Sequence, residues 1–376
     1  MAAARVALTW DQVLAWRMEQ QHLDRPKGLD TAAVVHRLGG VQAQVASSAE
    51  QAVAVRRAEA TGGVAAALEN REILKTWALR GTLHLLAADD AAAFLSLLAA
   101  ARTWDKPAWQ REFATAEQMT AIAEATAEAL HDAVLTREEL GAEIVDRTGD
   151  RSLGEKLASG WGAVLKPLAW QGLLCNAISQ GNRVTFTSPA TWLPGWKGLP
   201  DPDDAATIAI PIYLGAHGPA TPNAFDQWLC RGATKKAALK KWFAALVEDG
   251  TLTEVDVDGE SMHARTADLD ALADAGPPDR VRLLPAFDQY VLGPGTKDHR
   301  IIAPARRSLI SKAAGWISPV VVSGGKVVGT WEVDGTALSI ELFDEAGPVE
   351  GSALDAEAAV LEKVLGQRLV PSVTTV

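Results

Sequence analysis

Asp258-Gly259 separates two runs, Thr251 to Val257 and Glu260 to Arg265, in which apolar and polar residues alternate. Both positions of such a two-residue loop need positive φ, which Asp-Gly tolerates, so the pair predicts a β-hairpin. Two helices are predicted just upstream. Thr221 caps the first, Pro222 suits its opening position, and Phe225, Trp228 and Leu229 form its apolar face. The second runs from about Thr234 with Leu239, Trp242, Phe243 and Leu246 at i, i+3, i+4, i+7, and Gly250 ends it. Helix, helix, hairpin is the winged-helix order, with the second helix as recognition helix and the hairpin as wing.

The pattern recurs twice. In the middle of the chain Thr136-Arg-Glu-Glu139 reads as a capping box opening a helix through Leu140, Ile144 and Val145. A longer helix carrying Leu157, Trp161, Val164 and Leu168 follows, kinked or restarted at Pro167, and then a hairpin turning at Gly181-Asn182. Near the N-terminus, Thr31 to Leu38 is predicted helical. A second helix, Ser47 to Arg57, is expected to be capped by Ser47 or Ser48, and Leu74 to Leu86 forms a hairpin around Arg80-Gly81. Amphipathic connecting helices are expected over Asp89 to Ala101, Ala116 to Val134 and Asp201 to Leu214. Pro194 to Asp204 is the best linker. Beyond Val281 the chain turns β-rich, with turns at Gly324-Gly325 and Asp334-Gly335, a last helix over Leu354 to Leu365, and a frayed end from Val370. The expected fold is α+β and mainly helical: winged-helix units over 1–115, 116–200 and 201–278, then a β-rich domain over 279–376.

Several chemistries are excluded. Cys175 and Cys230 form neither a ligand pair nor a disulfide framework. No phosphate loop, dinucleotide fingerprint or nucleophile elbow occurs, and the seven histidines show no ligand spacing, so no metal or cofactor is expected. No apolar run approaches the ~18 residues of a membrane helix, and Met1 to Leu8 is too short for a signal peptide, which predicts a cytoplasmic chain. The net charge of -11 weighs against polyanions, although a local basic patch can still steer DNA. Two basic stretches qualify, each readable also as a solvated face: Lys235, Lys236, Lys240 and Lys241, and Lys297, Arg300, Arg306, Arg307 and Lys312.

Gly39-Gly-Val-Gln-Ala-Gln-Val-Ala46 is the one unusual segment. If extended, it points Gln42 and Gln44 the same way, because strand residues alternate faces. Turn residues are the other reading.

Four landmarks then carry a resemblance. They are Val41-Gln-Ala-Gln44; Thr76-Trp-Ala-Leu-Arg-Gly-Thr-Leu-His-Leu85; Leu283-Leu-Pro-Ala-Phe-Asp-Gln-Tyr-Val-Leu292; and Gly315-Trp-Ile-Ser-Pro-Val-Val-Val322 with Gly329-Thr-Trp331. Nearly the whole chain resembles the AlkZ-like DNA glycosylases, the bacterial winged-helix DNA-binding domain-containing proteins. The resemblance departs from the usual pattern at Pro294 to Arg300. It implies three tandem winged helices in a C shape around duplex DNA, closed by the β-rich domain. It also implies hydrolytic excision of alkylated purines, above all N7-alkylguanine, by a monofunctional enzyme. Some members unhook interstrand crosslinks and protect the producer of the toxin. The family's catalytic Gln-x-Gln motif maps onto Gln42 and Gln44.

The chemistry is coherent. N7 alkylation makes guanine cationic and a good leaving group, so the enzyme needs no strong acid. It needs a positioned water and stabilisation of an oxocarbenium-like sugar, which amide carbonyls can provide without titrating. On the first wing Arg80, Thr82 and His84 are candidate DNA contacts, with His84 readable also as a satisfied hairpin histidine, while Trp77 reads as core. Lys235, Lys236, Arg300, Arg306 and Arg307 are candidates to follow the phosphate backbone. The partner is then double-stranded DNA bearing alkylated purines, bound by a monomer. The rival reading is a non-catalytic regulator, which should dimerise on a palindromic operator. A protein–protein scaffold is a third.

Overall fold

A computed structural model describes residues 6–159, 162–277 and 279–376. The chain is a mixed α+β structure, about half helical, with three sheets. Asp258 (φ 48°) and Gly259 (φ 87°) close the hairpin of strands Leu252–Val257 and Glu260–Arg265, as the type I′ loop requires. The preceding helices are Pro222–Cys230, capped by the Thr221 side chain, and Lys236–Glu248. Ala220 bridges to His263 on the outer side of the second strand. Strand Val6–Leu8 lies parallel to Leu252–Val257 on the other edge, so the start of the chain completes this sheet.

The other two hairpins share one six-stranded sheet. Its order runs Val41–Gln42, Leu83–Ala87, Ile73–Trp77, then Cys175–Asn176, Thr185–Thr187, Leu135–Thr136. The halves meet at one antiparallel pairing, Lys75 with Asn176. Each half, and the Ala220 sheet too, has the same order: the strand before the helices, then the last strand, then the middle one.

Helices Ala88–Ala100 and Pro202–His217 pack together at the centre. The first was expected to be amphipathic. Instead Ala91 and every residue from Ala93 to Leu98 are buried, as suits a helix enclosed on nearly all sides. Its Phe94, Leu95, Leu97 and Leu98 each contribute about 1.5–3 kcal/mol of burial. The β-rich part is a five-stranded sheet, Val281–Leu284, Val320–Ser323, Lys326–Asp334, Ala337–Leu342 and Val370–Thr375, covered by helix Gly351–Leu365.

Four further expectations are corrected. Val370–Thr375, expected to fray, is an edge strand parallel to Ala337–Leu342; it pairs through its backbone with every side chain exposed, so it has no burial pattern to read. The long helix of the middle hairpin is two short ones, Leu153–Ala158 and Leu165–Trp170, and Trp161 lies outside the described residues. The helix after Ala116 ends at Ala129 rather than Val134. Helix Ala46–Arg57 starts after Val45 with no side-chain cap, so Ser47 and Ser48 lie within its first turn. Seven helices among the described residues had no sequence assignment: Trp10–Gln20, Gly63–Glu69, Pro107–Glu112, Pro189–Trp192, Leu269–Asp274, Gln289–Leu292 and Arg307–Ile310.

No described helix is long and apolar enough to cross a membrane.

Candidate active-site cleft

The Gly39–Ala46 link is built by its glycines. Helix Thr31–Arg37 ends in a Schellman turn: Gly40 N–H donates to Val35 O and Gly39 N–H to His36 O, both at 2.9 Å. Both glycines have positive φ, 65° and 115°. A Cβ on Gly40 would meet the Leu86 side chain at 2.9 Å and Leu85 O at 3.2 Å, so only glycine lets the backbone lie this close to the neighbouring strand. The chain then runs extended. Val41 and Gln42 pair with Leu85 and His84, and Ala43 N–H donates to Leu83 O at 2.8 Å.

Both glutamines line one cleft of about 1080 Å³, Gln42 from the strand and Gln44 from the bend that leads into helix Ala46–Arg57. Gln44 is exposed. Gln42 is 5% exposed, and its enclosed Oε1 has no hydrogen-bond partner among the described residues. A buried acceptor without a partner costs about 1–3 kcal/mol, so its retention calls for a functional reason.

The cleft draws on the whole chain. The first hairpin gives Lys75, Trp77, Arg80 and Thr82; the middle hairpin gives Asn176, Ile178 and Val184; the β-rich part gives Phe287 and Trp316. Trp77 is 5% exposed and stacks on Phe186 at 5.8 Å, the core role expected of it. Trp316, 42% exposed, meets Phe287 edge-on at 5.0 Å.

The cleft carries the opposite sign to the protein. Five cations line it, Lys75, Arg80, Arg137, Lys166 and Arg231, against one carboxylate, Glu69. Burial lowers the pKa of the Lys75 and Lys166 amines, with Arg231 adding to the effect at Lys166. Burial, helped by Arg231, brings Arg80 down to about 10, so it stays protonated near neutrality. Its Nη1 donates to Leu292 O at 3.0 Å, which ties the first hairpin to the β-rich part.

The sequence candidates divide. Gln42, Gln44, Arg80 and Thr82 share the cleft. His84 does not reach it: it is fully buried, and its Nδ1–H donates to Thr82 O at 3.1 Å. Burial, with Arg80 nearby, pushes its pKa down to about 3, so it is a neutral core histidine rather than a cationic DNA contact. Lys235 and Lys236 are exposed at the start of helix Lys236–Glu248, outside the cleft. Arg300 lies elsewhere too, ion-paired with Glu260 and Asp298 and stacked 4.0 Å over Trp10. Arg306 is bidentate on Glu345 at 2.8 and 2.9 Å and over Phe343. Arg307 donates to Thr296 Oγ1 at 3.5 Å, again outside the cleft. The cleft cations other than Arg80 escaped the sequence because they are single residues from separate elements, not a run. Among the described residues no group of three His, Cys, Asp or Glu side chains is arranged to hold a metal.

Comparison with known proteins gives concordant results. Residues 35–364 match the family model described as DNA glycosylase AlkZ-like. The chain is 44% identical over 366 residues to the interstrand DNA cross-link repair glycosylase of Streptomyces sahachiroi, covering 96% of this chain and 98% of that protein. The solved structure of the Streptomyces sahachiroi DNA glycosylase AlkZ superposes with a TM-score of 0.93 at 44% identity, covering 98% of this chain and 100% of that one.

Proposed function

The chain belongs to the AlkZ-like DNA glycosylase family, and on that premise we propose that it hydrolyses the N-glycosidic bond of N7-alkylguanine in duplex DNA, with Gln42 and Gln44 as its catalytic pair. The observation that carries this reading is the pair's position: both amides line one cleft rimmed by cations, and one keeps a buried carbonyl without a partner among the described residues. In the proposed mechanism the cationic base leaves with the bonding electrons and becomes neutral. The two carbonyls accept hydrogen bonds from the attacking water and direct their dipoles at the positive charge growing on the sugar. Water adds at C1′, releasing a proton to solvent, and the product is an abasic site. The cationic side chains hold the flanking phosphates.

The repeated strand order supports reading 1–115, 116–200 and 201–278 as winged-helix units, with 279–376 as a closing domain. In this reading they form a C-shaped scaffold in which a monomer grips duplex DNA. The relative's name extends the proposal to crosslinks joined through guanine N7, and so to protecting a cell that makes such an agent.

The test is liquid-chromatographic detection of free 7-methylguanine from methylated duplex. Release well above spontaneous depurination is the expected result; release at the spontaneous rate overturns the glycosylase reading.

A further inference from the structure

Glu69 is the lone carboxylate lining the cleft among the described residues, and two features make it an unexpected choice for a DNA-binding groove. It is the last residue of helix Gly63–Glu69, where the partial negative charge of the helix end disfavours an anion. It also faces a groove whose other charges suit phosphate, and a carboxylate there repels the DNA backbone. The Glu69 side chain forms no ion pair or hydrogen bond with any described residue, so none of the five cations named above is bound to it. The lowered pKa of Lys75 has burial as its sole cause, so no carboxylate compensates that amine.

The helix itself is firmly set. The Glu50 carboxylate accepts from Gly62 N–H at 2.9 Å, Ala65 N–H at 3.2 Å and Val64 N–H at 3.3 Å, capping its start. The same helix presents Ala65 and Leu68 to the cleft that Gln42 and Gln44 also line. Glu69 is therefore held at the wall by a pinned element, exposed and without a direct partner among the described residues.

From this we infer that Glu69 is a specificity-determining residue that selects a positively charged nucleobase over a neutral one. The inference rests on the glycosylase reading above and deepens it. An N7-alkylated purine brings a unit positive charge into the cleft, which an unpaired carboxylate attracts. An undamaged or neutral base brings none, and its phosphates meet only repulsion from the same group. Discrimination thus arises from attraction to the right ligand and penalty against the wrong one. Glu69 acts on the base and leaves the water to Gln42 and Gln44.

The experiment compares two duplexes differing at one base. One holds 7-methylguanine on a 2′-fluoroarabinose, which is cationic and resists hydrolysis; the other holds 7-methyl-7-deazaguanine, its neutral isostere. Wild type is expected to prefer the cationic duplex. Glu69→Gln, which keeps the shape and removes the charge, should lose about tenfold of that preference, ~1.4 kcal/mol. Glu69→Asp should keep part of it, and undamaged duplex should bind Glu69→Gln as well as wild type or better. Thermal melting checks that the variants are folded. A Glu69→Gln protein with the wild-type preference overturns the inference, as does a wild type that binds both duplexes equally. Parallel release of 7-methylguanine by wild type distinguishes that failure from failure of the glycosylase reading, which alone abolishes release.

Discussion

Arg56 and Asp288 form an ion pair with both side chains fully enclosed, and the account predicts a large penalty for breaking it. The guanidinium is bidentate on the carboxylate at 2.7 and 2.8 Å; its Nε donates to Gln21 O and its Nη1 also to Ala52 O, both at 2.8 Å. Asp288 accepts further from Tyr290 N–H at 2.8 Å. The pair joins helix Ala46–Arg57, which begins just after the Gln-x-Gln link, to the segment that carries Phe287 into the cleft. Removing one charge leaves the other buried and uncompensated, which costs about 3–5 kcal/mol, a large part of an ordinary total of about 5–15 kcal/mol. Asp288→Asn keeps the shape and removes the charge, so it should lose that amount. Arg56→Met/Asp288→Leu should lose less than its single variants summed, because no orphaned charge remains. Urea unfolding followed by tryptophan fluorescence measures this as a shift in midpoint. An Asp288→Asn protein within about 1 kcal/mol of wild type would refute the reasoning, because it would mean that the buried guanidinium finds solvent or another partner.

Stability and DNA binding offer further checks. His84 and His217 are both pushed down to about 3, chiefly by burial, and stay neutral in the folded chain while their unfolded counterparts protonate near 6.5. Their contribution is therefore present above pH 6.5 and lost as pH falls toward 3, about 1 kcal/mol each between pH 7 and 5.5. His84→Gln and His217→Gln should each flatten the fall of the melting temperature over that range. In duplex binding, Arg231→Ala and Lys166→Ala should each reduce the slope of log affinity against log salt by about 0.9, whereas Arg306→Ala, already paired with Glu345, should leave it unchanged.

What the sequence disclosed was mostly local. The Asp258-Gly259 turn, the Thr136 capping box and the Thr221-Pro222 helix start all lie within four residues of what they control, and all three occur as read. Helix Gly63–Glu69 was illegible because its N-terminal cap is Glu50, a residue of another helix. The terminal strand was illegible because its partner is 33 residues away and its side chains bury nothing. The Gln-x-Gln link stood out through its glycines and its i, i+2 spacing, but only the pairing of Val41 and Gln42 with Leu85 and His84 turns spacing into a shared cleft. The basic runs misled in the opposite way. Arg300 and Arg306 are close in sequence, yet each has a carboxylate partner from a distant segment. The cleft cations come from separate elements and are brought together by tertiary packing.

Single-turnover excision of 7-methylguanine by Gln42→Ala/Gln44→Ala measures what the two amides contribute to bond cleavage. Each tenfold in rate is ~1.4 kcal/mol of barrier, so losing the two carbonyls proposed to position the water should slow excision by about a hundredfold or more, with duplex affinity and melting temperature near those of wild type. A doubly substituted protein that folds, binds and excises within a few-fold of the wild-type rate would contradict the account.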